Sequence, residues 1–600
     1  MSKQSLLGGA ALVAVGVALG GTAWAQDKTL TTTEQLLKPD PNNWLHVHRT
    51  YDSHRYSPLD QINKDTVKNL GLAFVTPLGV PSAGGRYTNA QNEGTPLVEN
   101  GFMYIVSGWS VVTKVDVRDG KWGKILWRYT PEMDRKYISD TACCGAESRG
   151  IGLWQNEVVS VSLDGQMVAL NKDSGEVIWS QKIANKDRAE TFTIPPLVVK
   201  DTAIVGPAGG EYGIRGWLEA RDLKTGQAKW HTWTIPGPGE PGNETWAGED
   251  WKTGGGSTWQ AGSYDPEQNL IYYGTGNPAP QFDAEYRPGD NLYTDSLIAL
   301  DVDTGKLKWY FQFTPNDPFD YDEIGDNQLY DMVINGQPRK VVARFARNGI
   351  AYAMDRANGS FIWGQQYVDT LKWTNGVDPK TGKPTSYDPN LKLQTYNGTV
   401  GRRGGPASLV CPGLAGGKNW EPASFSDRSK LYYTGARNAC GNTNTAEAVA
   451  RPTVTGGTFL LTDPAGWRGR GTAPADRRPP IPSTAVATPS VVAVDPATGA
   501  TVKKILVPIL PYGVLSTAGG LVFTADRGGQ LTAYDDQTLA QIWQGNAGTA
   551  IYGPPISYAV NGKQYIAVLV GGAGAGGAGV DPAVSFFVPT DALYVFTLQR

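Results

Sequence analysis

The residues best suited to chemistry are few, and two of them are adjacent. Cys143 and Cys144 stand side by side, a pair that can close on itself only as a strained eight-membered ring, because neighbouring Cα atoms lie closer than the usual disulfide range. Strain of this kind persists where it serves a site; the other reading is two thiols free or separately paired. With Cys143 and Cys144 joined, Cys411 and Cys440 are left to pair as an ordinary staple. No C-x-x-C and no C-x-x-C-H occurs, which excludes a zinc ribbon and a covalently attached c-type haem. The four histidines, His46, His48, His54 and His231, are too few and too clustered for most His-built catalytic or zinc sites. Any redox chemistry must use another cofactor.

Reactive residues this sparse need a framework to gather them, and a repeat supplies it. A small residue, usually an apolar one, Asp or Asn, a short turn ending in Gly and then an aromatic recur along the chain. The copies are Ala169-Leu170-Asn171 with Gly175 and Trp179, Ala220-Arg221-Asp222 with Gly226 and Trp230, Ala299-Leu300-Asp301 with Gly305 and Trp309, and Ala353-Met354-Asp355 with Gly359 and Trp363. Weaker copies lie at Asp116 with Gly120 and Trp127, at Asp495 with Gly499 but no Trp, and at Asp535 with Trp543. Each reads as strand, Asp-started turn closed by Gly, then strand, because the Asp side chain caps the turn and Gly tolerates a positive φ. The Trp can wedge between neighbouring sheets, where a single four-stranded sheet has no core of its own. That is a β-propeller; a string of separate β-sandwiches would need linkers that the chain lacks.

Composition agrees. Six hundred residues exceed an ordinary single core, which calls for several domains or for repetition. Glycine occurs 74 times, well above the average of about 7%, and 19 tryptophans supply large apolar anchors. A formal net charge of -3 offers no electrostatic footprint for nucleic acid. At the N-terminus, Lys3, the apolar run Leu6 to Leu19 and Ala23-Trp24-Ala25 before Gln26 read as a secretory signal peptide over 1–25. The run is short for a membrane span of about 20 residues, and no later stretch is apolar enough to make one. The mature chain, 26–600, then reads as one exported domain, periplasmic in a Gram-negative cell, with cysteines free to oxidise. Within it, 441–486 is rich in Gly, Pro, Arg and Thr without strand alternation, and reads as a long surface loop.

Several segments together resemble the soluble pyrroloquinoline quinone (PQQ) alcohol dehydrogenases, the quinoprotein family that includes methanol and ethanol dehydrogenases. They are Arg55-Tyr56-Ser57-Pro58, Asn92-Glu93-Gly94-Thr95-Pro96, Cys143-Cys144 followed by Arg149-Gly150, Gly209-Gly210-Glu211, Gly254-Gly255-Gly256-Ser257-Thr258-Trp259, Gly274-Thr275-Gly276-Asn277-Pro278 and Gly416-Gly417-Lys418-Asn419-Trp420. The resemblance runs from about Trp44 to the C-terminus, and the expected fold class is all-β, an eight-bladed β-propeller with Trp-bearing docking repeats between blades. It implies a flat quinone held between a Cys143-Cys144 disulfide and the indole of Trp259, with Glu93, Arg149, Thr193, Gly209, Gly210, Ser257 and Asn419 at its edges. A planar cofactor suits an aromatic face on one side and a rigid sulfur ring on the other.

The resemblance further implies a metal held by Glu211 and Asn277, oxygen donors that suit a hard cation, with Asp320 as the catalytic base and Arg347 as the fixed cation beside the quinone. If Asn316 to Asp322 is extended, Asp320 and Asp322 project to the same side and reach one ion. An Asp two places after the catalytic one resembles the lanthanide-dependent members. Glu211, Asp320, Asp322 and a cofactor carboxylate would gather four negative charges, so a trivalent ion is favoured over calcium; the alternative leaves Asp322 as a solvated turn residue beside a calcium site. With no haem site in the chain, a separate soluble cytochrome c is the expected electron acceptor.

Two departures bear on substrate. Near Leu510-Pro511-Tyr512-Gly513-Val514, where the family often carries a Trp that closes the pocket, this chain offers only Tyr512 and small residues, and the 441–486 loop brings Trp467, Arg468 and Arg470. Both favour bulky or secondary alcohols, of the kind some relatives oxidise among polyols, polymers or trichothecenes such as deoxynivalenol, over a methanol or ethanol type. A sugar dehydrogenase using the same cofactor and a non-enzymatic propeller scaffold are the other classes weighed; the paired cysteines and acid cluster count against the scaffold.

Overall fold

The computed structural model describes residues 30–79, 92–142, 144–403, 405–406, 408–442, 453–455, 458–460, 488–571 and 591–599. Eight sheets, each with four antiparallel strands, follow one another around a ring, spanning 97–129, 152–182, 197–233, 263–312, 328–366, 424–506, 511–546 and 556–598, and Tyr56–Ser57 adds a fifth, parallel strand to the 511–546 sheet. They are numbered here as blades 1 to 8. In blade 1 the first strand is buried and the fourth faces outward: Leu97–Glu99 is wholly buried, whereas Lys124–Tyr129 is exposed or half-buried throughout. The Val- and Ile-rich inner strands suit a pleat covered on both faces. Leu70–Pro77 pairs antiparallel with Ala592–Leu598 and becomes the outermost strand of blade 8, so the two ends of the chain close the ring. The expected eight-bladed propeller is the fold observed.

The repeat turns out to be a joint between blades. Asp222 accepts from the backbone N–H groups of Lys224 and Thr225 at 3.0 Å each, and Gly226 closes the turn at φ 72°. Trp179 of blade 2 lies on that glycine, where a Cβ would come within 2.6 Å of the indole, and its Nε1 donates to Leu223 O at 2.7 Å. The same joint recurs as Trp127 to Lys172 O, Trp230 to Val302 O, Trp309 to Arg356 O and Trp363 to Pro496 O. Each buries a large ring and satisfies its one donor. Blade 6, whose copy lacks the Trp, uses Tyr433 instead, its hydroxyl donating to Asp536 O in blade 7.

Residues 44–57 thread the inner strands together. Backbone bonds join Trp44 to Val98, Tyr51 to Tyr264, Asp52 to Leu329, His54 to Phe425 and Arg55 to Ser516, reaching blades 1, 4, 5, 6 and 7. Arg55 is fully buried and donates to the carbonyls of Val47, Val514 and Pro555. Cys411 and Cys440 are disulfide-bonded, as expected.

The 441–486 segment is not wholly irregular. Gly441–Asn442 pairs with Leu409–Val410, and Thr453–Thr455 pairs with Thr458–Leu460; alternation is invisible in strands of two or three residues. Trp467, Arg468 and Arg470, like the 1–25 leader, lie outside the described residues. No described helix is long and apolar enough to cross a membrane.

Candidate active site

One end of the ring collects the chemistry, and antiparallel topology explains how. Glu93, Arg149, Thr193, Trp259, Asp320 and Asn419 each sit a few residues before the inner strand of blades 1 to 6 respectively. Glu211, Asn277 and Arg347 each follow the second strand of blades 3, 4 and 5. An antiparallel second strand ends beside the start of the first, so residues far apart in the chain arrive at one place. There a cavity of about 410 Å³ is lined by Glu93, Cys144, Arg149, Thr193, Gly209, Glu211, Trp259, Asp320, Asp322, Arg347, Asn419 and Tyr512, within the size range of small-molecule sites, about 300–1,000 Å³. Of the remaining expected residues, Gly210, Ser257 and Asn277 stand behind the wall, and Cys143 lies outside the described residues. Cys144 is disulfide-bonded. None of the four histidines lines the cavity.

At one end, Glu211, Asp320 and Asp322 bring one carboxylate oxygen each to within 4.8 Å of one another. The expected extended segment is not what achieves this. Asp320 has φ 68°, and the Asp317 side chain accepts from the N–H groups of Phe319 at 2.8 Å and Tyr321 at 2.7 Å. A side-chain-capped turn therefore aims both acids, because short polar residues compete with strand pairing for the backbone. Asp322 accepts from Asn277 N at 2.8 Å and from Arg347 Nη1 at 2.7 Å. Asp320 Oδ2 meets Gln281 Nε2 at 3.3 Å and Arg347 Nη2 at 3.4 Å, while its Oδ1 is buried with no partner among the described residues. Asn277 spends its amide on Pro278 O, and its Oδ1 lies 2.5 Å from where a Cβ on Gly210 would stand. Only glycine lets the Glu211 turn come so near, and its neighbour Gly209 sits at φ 110°.

Burial raises the Asp320 carboxyl well above the ordinary range, against the pull of Arg347 and with the help of Asp322, Glu211 and Asp317. Arg347, although burial opposes its charge, is held above its ordinary value by Asp320 and Asp322. Three acids around one guanidinium form a set of hard oxygen donors short of positive charge, the arrangement a multivalent cation completes.

The other end is built on Arg149. Its guanidinium lies over the Trp259 ring at 4.5 Å from the centroid and over Trp420 at 5.5 Å. Its Nη2 meets Glu93 Oε2 at 2.8 Å and Glu147 Oε1 at 3.4 Å. Thr193 Oγ1 is buried with no partner among the described residues, and Glu421 accepts from Asn419 N at 3.0 Å and from Arg437 at 3.4 Å. Sequence reasoning missed Glu147, Gln281, Trp420, Glu421 and Arg437 as cavity residues. For Glu147 and Trp420 the signal was adjacency, since each lies within two residues of an expected contact, Arg149 or Asn419.

The model of the glucose/ethanol/alcohol dehydrogenase β-propeller domain matches residues 44–370, and that of the outer membrane protein assembly factor BamB matches 487–576. The quinoprotein alcohol dehydrogenase PedH of Pseudomonas putida is 34% identical, over 98% of this chain and 96% of its own. The putative dehydrogenase XoxF of Paracoccus denitrificans is 33% identical, over 92% of this chain and 90% of its own. A solved structure of a europium-containing methanol dehydrogenase superposes with a TM-score of 0.80 at 30% identity, covering 94% of this chain and 100% of the other.

Proposed function

The chain belongs to the PQQ-dependent quinoprotein alcohol dehydrogenases, and on that premise we propose that Asp320 is its catalytic base, acting beside a lanthanide bound at Glu211, Asp320, Asp322 and Asn277. As an oxidoreductase of this family it is set apart from propellers that serve only as scaffolds. The observation that carries the reading is the meeting of the buried Asp320 and Asp322, the half-buried Glu211 and Arg347 in the same cavity as Trp259 and Cys144.

The residues present fit the cofactor and the metal. Trp259 offers an aromatic face and the cavity is lined at Cys144, where the vicinal disulfide with Cys143 is proposed as the opposite wall. Glu93, Arg149, Thr193, Gly209, Gly210, Ser257 and Asn419 are proposed as its edge contacts and supports. The unpartnered Thr193 Oγ1 and Asp320 Oδ1 are buried groups of the kind a ligand satisfies. When bound, the quinone supplies the hydride acceptor and the cation a Lewis acid. Asp320 is ionised once the charge of its neighbours is offset, and its Oδ1 then takes the proton of the alcohol. Arg347, fixed by Asp322 and by Leu414 O at 2.7 Å, would supply a preorganised cation beside a bound quinone.

Two anions remain uncompensated at the metal end and a cofactor carboxylate would make three, which supports a trivalent ion over calcium; the europium in the methanol dehydrogenase relative is consistent with that preference. For substrate, we favour bulky or secondary alcohols, whether polyols, polymers or deoxynivalenol-like polycycles, with a methanol or ethanol type as the alternative. At the rim Tyr512 packs between Trp420 and Tyr552, with ring centroids at 5.6 and 5.2 Å, and Leu414 and Ala415 complete it. Electrons would pass to a soluble cytochrome c in the periplasm. Reconstitution of the cofactor-free protein with PQQ and either lanthanum or calcium, followed by dye reduction with methanol, butanol and a polycyclic secondary alcohol, tests both points. The expected result is turnover with lanthanum and preference for the polycycle; a strong preference for methanol reverses the substrate order, and activity with calcium alone removes the lanthanide.

A further inference from the structure

Glu147 is a carboxylate in an awkward place. It is 3% exposed and lines the cavity, and its backbone is clamped on both sides. Trp109 N donates to Ala146 O at 3.0 Å, the Ser110 and Ser148 hydroxyls meet at 2.9 Å, and Arg149 N donates to Thr193 O at 3.2 Å. The residue is therefore held at the cavity wall. Its Oε1 reaches Arg149 Nη2, its Oε2 has no partner among the described residues, and the same Nη2 already holds Glu93.

The charges around this pair are few. Among the described residues, Arg149 is the one cation it touches. Glu421 faces it from blade 6 but is held by Arg437, Tyr512 from blade 7 stands beside Trp420, and Glu211, Asp320, Asp322 and Arg347 belong to the far end of the cavity. Two buried carboxylates on one guanidinium leave a charge of minus one, and like charges so placed do not both ionise. A quinone bearing carboxylates, entering beside them, adds to the same repulsion.

We propose that Glu147 is a cofactor-positioning residue, which shares one proton with Glu93 across Arg149 and turns the resulting O–H toward the anionic edge of the bound quinone. This rests on the reading that PQQ occupies this cavity. A protonated carboxyl donates where a carboxylate only accepts, so the pair changes from repelling an anion to binding it by taking one proton from solvent. Burial first, then repulsion from Glu147 and Glu421 beyond what Arg149 offsets, pushes the Glu93 carboxyl up to about 8, and burial raises Glu147 as well. PQQ affinity should then decline as pH rises through that value, with the proton supplied on binding.

The test is a titration of the full chain, freed of quinone and kept in excess calcium, with PQQ by isothermal calorimetry. Between about pH 7 and about pH 9 the affinity is expected to fall about tenfold, the change one linked proton gives across a pKa near 8. Paired titrations near pH 9 in buffers of different ionisation enthalpy should show uptake approaching one proton. Glu147→Gln keeps a donor and fixes the charge at its low-pH value, so its affinity near pH 7 should stay within about threefold of the parent while the pH dependence and the proton uptake disappear. An affinity independent of pH, no proton uptake, or a Glu147→Gln protein with the parental slope would overturn the proposal while leaving PQQ in the cavity. No binding of PQQ at any pH would overturn both readings.

Discussion

The two ends of the cavity solve one electrostatic problem in different ways. Each gathers carboxylates around a single guanidinium, the half-buried Glu211 with the buried Asp320 and Asp322 around Arg347 at one end, the buried Glu93 and Glu147 around Arg149 at the other. The first end lacks two positive charges, the second lacks one. A proton can cover a deficit of one, since a carboxyl stays neutral and becomes a donor. It covers a deficit of two poorly, because two protonated acids would no longer offer the anionic oxygens that a base or a metal ligand must supply. Charge count alone thus separates a metal end from a proton end within one cavity.

The largest way to break this contrast is to remove the base. Asp320→Asn keeps the shape and the Gln281 contact but not the proton acceptor, and turnover with PQQ and lanthanum is expected to fall by about 10²–10⁴-fold, with circular dichroism and Tm showing an intact ring. Residual activity near the parental level would assign the base elsewhere. Next comes Asp322→Asn, which reduces the deficit at the metal end from two to one. The ratio of lanthanum to calcium affinity should drop by at least about tenfold, a modest part of the ~4 kcal/mol that a unit pair carries at about 4 Å and an effective dielectric of about 20. Competition titrations followed by metal-induced rises in Tm give this ratio without reference to activity, because an ion that binds only the folded chain stabilises it by mass action. An unchanged ratio would show that the second Asp does not select the ion.

How visible these ends are in the sequence differs for a physical reason. The docking repeat is local, with Asp, Gly and Trp within about ten residues, so Trp179 and Gly226 announce the joint that they make across blades. The acids of the metal end are spread over more than a hundred residues, and only resemblance to a family groups Glu211 with Asp320. Even then the expected extended segment was the wrong device: the pleat would aim Asp320 and Asp322 by alternation, whereas Asp317 aims them by capping a turn. Glu147 carried no signal of its own. Its significance arises from sharing Arg149 with a residue from another blade, and no periodicity encodes that. Short pairings such as Gly441–Asn442 with Leu409–Val410 were hidden because two residues cannot show a period of two.

The smallest effect separates the two ends through stability. Burial pushes the Glu93 carboxyl up to about 8 in the folded chain, against the ordinary carboxylate range when unfolded. The folded state therefore binds the extra proton between those values. The resulting stability is fully present below the unfolded value and lost as pH rises through about 8. For a chain of this length the unfolding entropy is large, so the shift in Tm is small, about 2 °C of decline between about pH 6 and about pH 9. Scanning calorimetry in excess lanthanum fills the metal end and fixes its charge; because burial also raises Glu323 to about 8 and Glu157 to about 7, the proton end's share of the slope is read as the difference between parent and variant. Glu147→Gln removes the repulsion that adds to burial in raising Glu93 and should reduce the slope, while Asp322→Asn should leave it in place. A slope that follows Asp322 and ignores Glu147 would mean that the proton belongs to the metal end, and the division of labour between the two carboxylate clusters would have to be redrawn.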